Sequence, residues 1–317
     1  MALEPMSHPA CNVPAVDGRP SGREPVLRGV LTQNADLSRY NTWRVGGAAR
    51  RLYRPADAVD LAHCLAMLSG RERLLWLGLG SNVLVRDGGF DGTVIMTHGT
   101  LNEIRDLGNG AFRAGAGVPC NKLARFIAKR GYVGAEFLAG IPGTWGGALA
   151  MNAGAFGGET WSLVTRVETI DGAGVRRERR LDAYRIGYRS VQGPAAEWYL
   201  SAELQTRRGD AAAATAAIRA LLAQRQRTQP IGVPSCGSVF RNPPGDYAAR
   251  LIEACGLKGA CEGGAQVSPK HANFIINRGH ACAADIETLI RRIQSRVRAA
   301  FDVALHPEVH IVGERLR

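Results

Sequence analysis

Two glycine-dense stretches set the tightest limits on what this chain can become. Residues 139–159 read AGIPGTWGGALAMNAGAFGGE, and residues 78–82 read GLGSN directly after the apolar run LLWL. Glycine loses more conformational entropy on ordering than any other residue, so a long glycine-rich loop is favourable where a ligand makes contacts along it. A loop that follows a strand can also present bare backbone N–H groups to phosphate oxygens. Together the two loops predict a clasp for an extended diphosphate, with Ser81, Asn82 and Asn152 as neutral donors. Tight turns between strands are the alternative. The dinucleotide fingerprint of doubly wound sheets fits poorly, because its third glycine is missing and GLGSN continues as VLV rather than as a helix.

The chain of 317 residues is 45% hydrophobic and 21% charged, the balance of a soluble globular protein with two or three domains. Its 40 basic and 28 acidic residues give a net charge of +12, which suits a phosphate-bearing ligand, an acidic membrane or nucleic acid. The basic clusters GVRRERR (174–180) and RRIQSRVR (291–298) read as solvated faces. With 6% aromatic residues there is no stacking platform for bases, so no nucleic-acid partner is expected. Seven cysteines (11, 64, 120, 236, 255, 261, 282), with no CxxC pair, argue against a disulfide framework and a zinc site. No metal is expected. No run reaches the ~18 apolar residues of a membrane span. Residues 1–28 lack the apolar core of a secretory signal and read as a disordered extension, and a reducing cytoplasm is the expected compartment.

Periodicity places the motifs. Leu74–Gly80, VLV (83–85) and GTVIM (92–96) have strand lengths. Leu123, Phe126 and Ile127 predict a helix over 121–130, with Gly131 to end it. VTRVETIDGAGVRRERRL reads as a hairpin turning at DGAG, and EWYLSAELQ as a strand. Helices are expected over 210–227, over 247–255 and from about Ala284, where Ile286, Leu289, Ile290, Ile293 and Val297 share a face. PEVHIVG (307–313) returns to strand character.

NTWRVGG (41–47), LGLGSNVLV (77–85), GIPGTWGGALAMNAGAFGGE (140–159), YRS (188–190), QPIGVPSCGSVFRNP (229–243), GGAQVSPKHANFIIN (263–277) and HPEVHIVGE (306–314) occur in one order. In these motifs, over about residues 38–314, the chain resembles the UDP-N-acetylenolpyruvoylglucosamine reductase family. That family lies within the flavoprotein superfamily of vanillyl-alcohol oxidase and p-cresol methylhydroxylase. The resemblance implies an α+β fold: an FAD-binding domain over 29–206 with two subdomains split near 97, a substrate-binding domain over 207–305, and a C-terminal strand over 306–317. It also implies FAD held by Gly78, Gly80, Ser81, Asn82, Ile141, Pro142, Gly143, Gly146, Gly147, Asn152 and Gly154. The FAD is expected to be non-covalent, since neither GLGSN nor GIPGTWGG contains His or Cys.

The chemistry implied is NADPH-dependent, FAD-mediated reduction of the enolpyruvyl ether of UDP-N-acetylglucosamine to UDP-N-acetylmuramate, in peptidoglycan precursor synthesis. Hydride passes to the vinyl carbon and leaves a carbanion-like centre that needs a proton. By family correspondence Ser238 supplies it, while Arg189 and a protonated Glu308 support the enolised carboxylate. A carboxylate facing an anion must be neutral, so Glu308 is expected to have a raised pKa in the substrate-bound state. Cys236 is chemically the better acid, but the resemblance selects Ser238. Arg225, Asn242 and His271 are the candidate substrate contacts. His271 on its own reads more simply as a structural histidine. Relatives with Lys at the position of Thr228 have a charge this chain lacks there, and Arg227 is a candidate replacement. Only Val191–Trp198 separate YRS from the next strand, so the chain resembles the shorter form of the family, without the tyrosine loop. The expected partners are the UDP-sugar and NADPH, and the expected state is a monomer. Two rivals remain: a flavin oxidase of the same superfamily, and a nucleotide- or nucleic-acid-binding protein without chemistry.

Overall fold

A computed structural model describes residues 26–68 and 72–316, so the expected extension lies outside it over 1–25. In the first lobe, β1 (Val30–Asp36) and β2 (Ala48–Arg54) run antiparallel. Helix α1 (Ala58–Met67) then leads to β3 (Leu74–Leu77), β4 (Val83–Val85) and β5 (Phe90–Met96). The sheet order is β1-β2-β5-β3, with β5 parallel to both neighbours. A strand buried on both faces needs a continuous apolar run, and β5 supplies Val94, Ile95 and Met96, all buried. Asp57 caps α1 by accepting from the amides of Val59 and Asp60.

The middle lobe is an antiparallel sheet. Its members are β6 (Ile104–Gly108), β7 (Ala111–Gly115), β11 (Val164–Asp171), β12 (Arg176–Arg180) and β15 (Glu197–Gln205), in the order β12-β11-β15-β7-β6. Asp171 shapes the expected hairpin turn by accepting from the amides of Ala173 and Val175, and Gly174 takes φ 82°. Between these strands lie helix α2 (Cys120–Ala128), the short strands β8 (Tyr132–Val133), β9 (Gly154–Ala155) and β10 (Gly158–Glu159), and the hairpin β13 (Arg185–Gly187) with β14 (Ser190–Gln192).

The second glycine run is not all loop: residues Trp145–Met151 form helix α3. Thr144 caps it by accepting from Gly147 N, and after the glycine pair ALAM has strong helix chemistry, which outweighs the local glycine cost. Asn152 ends the helix in the left-handed region at φ 47°.

Strand β16 (Arg207–Arg208) leads into α4 (Ala211–Thr228). Ala214 and Ile218 of α4 are buried in the same core as Phe112, Leu123 and Leu138, so this helix packs with the middle lobe rather than with the residues that follow it. The C-terminal unit comprises α5 (Ala248–Ala254), β17 (Cys261–Glu262), β18 (Ala265–Val267), β19 (Ile275–Asn277), α6 (Ala283–Phe301) and β20 (His310–Val312). The expected apolar face of α6 is buried throughout. Its core also takes in Trp43, Val45 and Leu84 of the first lobe. The Trp43 indole donates to Ile275 O at 2.7 Å, and Asn277 Nδ2 donates to Trp43 O at 2.8 Å. Asp87 reaches across to cap α6 through the amides of Ala283 and Ala284, and β20 pairs in parallel with β4. The polypeptide thus closes on itself around the space between the lobes.

Candidate active site

The two glycine stretches meet. A Cβ at Gly78 would stand 2.3 Å from Thr144 Oγ1, one at Gly143 would stand 3.2 Å from Ser81 Oγ, and one at Gly146 would stand 2.7 Å from the Ala116 Cβ. Gly80 has φ 62° and lies against Tyr40 O, where no side chain fits. Among the described residues, no protein acceptor takes the backbone N–H groups of residues 78–82. Converging unpaired amides are the donors a diphosphate needs, so the donor set fits the diphosphate of FAD. The start of α3 contributes differently: its first amides, Trp145 N and Gly146 N, are already given to Val118 O and Ala116 O. Ile141 is buried, Pro142 and Gly147 are exposed, and Gly143 and Gly154 are half-buried along the same run.

Two expected side-chain donors are committed elsewhere. Asn152 is 0% exposed, and its Nδ2 donates to Glu159 Oε2 at 2.9 Å and to Gly187 O at 3.1 Å, while its Oδ1 accepts from Trp161 N. Its amide therefore holds the β13–β14 hairpin instead of facing outward. Asn82 Nδ2 donates to Glu308 O at 3.1 Å and contacts Met151 Sδ at 3.4 Å, and Asn82 O accepts from His310 N. Asn82 joins the glycine loop to the segment that carries Glu308 into β20.

Arg189 and Glu308 form an ion pair, Nε to Oε1 at 3.2 Å, with side chains 18% and 13% exposed. Arg189 takes φ 50° between β13 and β14, a costly conformation that the surroundings enforce. Its Nη2 donates to Gly154 O at 2.8 Å and its Nη1 to Asn152 O at 3.4 Å. Gly154 must be glycine here, since a Cβ would stand 2.4 Å from the backbone Gly158 O. Glu308 N donates to Val239 O at 2.8 Å, Arg241 N donates to His306 O at 3.0 Å, and Phe240 bridges Pro307. Residues 239–241 and 306–308 therefore run side by side and bring the backbone of Ser238 next to that of Glu308. Ser238 is half-buried, follows Gly237 at φ 81°, and its hydroxyl has no partner among the described residues.

Burial pushes the Glu308 carboxyl up, against the opposing charges of Arg189 and Arg241. The upward shift expected for a substrate-bound state is thus already present, with desolvation as its cause. Burial, with the Glu308 charge nearby, also raises the Cys236 thiol well above its ordinary value. Cys236 is therefore held as a neutral thiol.

The substrate candidates separate. Arg225 lines a pocket of about 450 Å³ with Asn41, Thr42, Arg44 and residues 230–235. Its Nε donates to Gln229 Oε1 at 2.8 Å, and burial lowers its pKa. Asn242 is exposed and caps α5 by accepting from Ala248 N at 3.1 Å. His271 accepts from Asn273 N through Nδ1 and packs edge-on against Phe274, and burial lowers its pKa. Thr228 turns its hydroxyl to Gln224 O, and neither Thr228 nor Arg227 lines the pocket. Arg44 was not among the sequence candidates, because nothing in NTWRVGG marks its side chain as facing a ligand.

Known proteins resemble the chain on both sides of this site. Residues 49–178 match an FAD binding domain, and residues 229–312 match the C-terminal domain of UDP-N-acetylenolpyruvoylglucosamine reductase. The UDP-N-acetylenolpyruvoylglucosamine reductase of Alkalilimnicola ehrlichii is 59% identical over 286 residues, 90% of this chain and 96% of that protein. The protein so named from Methylococcus capsulatus is also 59% identical, over 90% and 94% of the two chains. The crystal structure of the Thermus caldophilus enzyme of that name matches with a TM-score of 0.75 at 30% identity, covering 90% of this chain and 99% of that one. The α+β flavoprotein fold expected from the motifs is borne out.

Proposed function

The chain belongs to the UDP-N-acetylenolpyruvoylglucosamine reductase family of FAD-dependent oxidoreductases, and from that premise we propose the chemistry of its site. The protein reduces the enolpyruvyl ether of UDP-N-acetylglucosamine to the lactyl ether of UDP-N-acetylmuramate, a cell-wall precursor, using NADPH. Bound FAD supplies the hydride that reaches the vinyl carbon. The protein holds it through Gly78, Gly80, Ser81, Asn82, Gly143 and the start of the 141–154 run, where the unpaired amides of 78–82 lie.

The observation that carries the reading is the Arg189–Glu308 pair at 3.2 Å, with Glu308 N bonded to Val239 O next to Ser238, whose hydroxyl has no partner among the described residues. Arg189 binds the substrate carboxylate as a fixed cation, oriented by Gly154 O and Asn152 O. The raised pKa of Glu308 matters at that moment. A neutral carboxyl releases the guanidinium to the incoming carboxylate and donates a hydrogen bond to the enolised form. Ser238 delivers a proton to the carbanion-like carbon, where placement counts for more than acidity. Arg225 and the uncommitted Nδ2 of Asn242 are assigned to the nucleotide portion.

None of the described helices is long and apolar enough to cross a membrane, and no group of three or more metal-ligating side chains occurs among the described residues. Anaerobic half-reactions test the reading. One equivalent of NADPH bleaches the flavin band, and added UDP-N-acetylglucosamine enolpyruvate restores it. A flavin that bleaches and stays bleached overturns the substrate assignment.

A further inference from the structure

The 450 Å³ pocket beneath the 230–235 segment is lined by two arginines, Arg44 and Arg225, and by no carboxylate. Several other arginines beside cavities or sheets of this basic chain face a carboxylate, as in Arg86–Glu287, Arg113–Glu168 and Arg179–Glu197. The larger cavity, of about 690 Å³, is lined by Arg73, Arg86 and Arg315, but their charges are matched by Glu314 and Glu287. In the 450 Å³ pocket nothing neutralises the cations. Arg225 bonds only the neutral Gln229 side chain, and the Arg44 side chain has no hydrogen bond or ion pair among the described residues.

The backbone at Arg44 adds a second, independent sign. Arg44 takes φ 59°, a left-handed conformation that an arginine adopts only when its surroundings impose it. Those surroundings are rigid. Arg44 N donates to Asn41 O, and the Asn41 amide donates to Leu37 O at 2.7 Å and to Val45 O at 2.8 Å. The neighbouring Trp43 is 0% exposed and is bonded on both its indole and its carbonyl to β19. The turn is held in place from both sides, and its product is a guanidinium presented to the pocket.

Ser235 lines this pocket, and Ser238 stands three residues further along. Three residues span at most roughly 10 Å, within the reach of one sugar ring with its linkages. We propose that Arg44 is a second phosphate-binding arginine, acting with Arg225 to hold the phosphate groups of the nucleotide ligand while the reacting end lies at Ser238. The proposal rests on the reductase reading for the ligand's class, and it supplies the charge that Thr228 lacks. The phosphates can belong to the UDP-sugar or to NADPH, and binding separates the two.

The test is calorimetric titration of the FAD-loaded protein with UDP and, separately, with 2′,5′-ADP. It compares wild type, Arg44→Gln, Arg44→Lys and Arg44→Asn, with Arg180→Gln on exposed β12 as the control for net charge. Loss of a charge-assisted phosphate contact weakens binding about ten- to a hundredfold. Arg44→Gln is expected to show this for UDP, with Arg44→Lys recovering part of it as a point charge. Arg44→Asn tolerates the left-handed backbone, so the same loss in that variant excludes a folding artefact. Weakening confined to 2′,5′-ADP assigns the same site to the dinucleotide. Wild-type affinity for both probes, within twofold, in every Arg44 variant overturns the proposal. If wild-type reduced protein fails to reoxidise with the enolpyruvyl sugar, the reductase reading falls, yet the UDP titration still decides the role of Arg44.

Discussion

The C-terminal unit meets the rest of the chain along two seams built on opposite principles. Against the first lobe the seam is a core: Trp43, Val45 and Leu84 are buried among Phe240, Ile275 and Leu289, and a strand pair and a helix cap finish it. Against the middle lobe, around Arg189 and Glu308, it is polar and half-buried. Apolar burial is non-directional and fixes the frame, whereas an ion pair beside an unengaged hydroxyl contributes little net stability and leaves groups free for a substrate. The first seam predicts a stability phenotype and the second a catalytic one.

The sharpest way to break this contrast is Ser238→Ala. It is expected to lower kcat by about 10²- to 10⁴-fold without changing the melting temperature or the rate at which NADPH bleaches the flavin. A fall in melting temperature alongside kcat would show that the polar seam is also frame. Trp43→Ala is the mirror experiment: truncating a fully buried tryptophan is expected to cost about 3–5 kcal/mol in urea unfolding. Next comes pH. If Glu308 works neutral, kcat falls as pH rises through its raised pKa, and Glu308→Gln flattens that alkaline limb in a pH–rate profile while lowering the plateau. The smallest effect belongs to Asp87→Ala, which removes the cap on α6 and is expected to cost about 1 kcal/mol, with kcat unchanged.

Much of this was legible beforehand because it is local. The face of α6, the DGAG hairpin and the alanine-rich α4 follow from spacing and turn chemistry, and the structure differs by only a residue or two at their ends. The helix inside the glycine run was not legible, since composition argues for a loop and only the Thr144 cap reveals the start. Asn152 and Asn82 looked like ligand donors because an amide is an equally good clamp, and which it is depends on partners such as Gly187 and Glu308 that lie far along the chain. Arg44 was hidden for the same reason: its meaning comes from a turn strained by β19 and from an arginine on α4.

The pairing of β20 with β4 has a consequence in time. His310 lies opposite Val83, so Glu308 is placed by a contact that spans most of the described sequence. Contacts so distant along a chain form late, because a long loop must close before they contribute. During synthesis the glycine cradle and the middle sheet can collapse while β20 is still unmade. On this topology the glycine cradle and Arg189 come together first, and Glu308 joins them in the closing step.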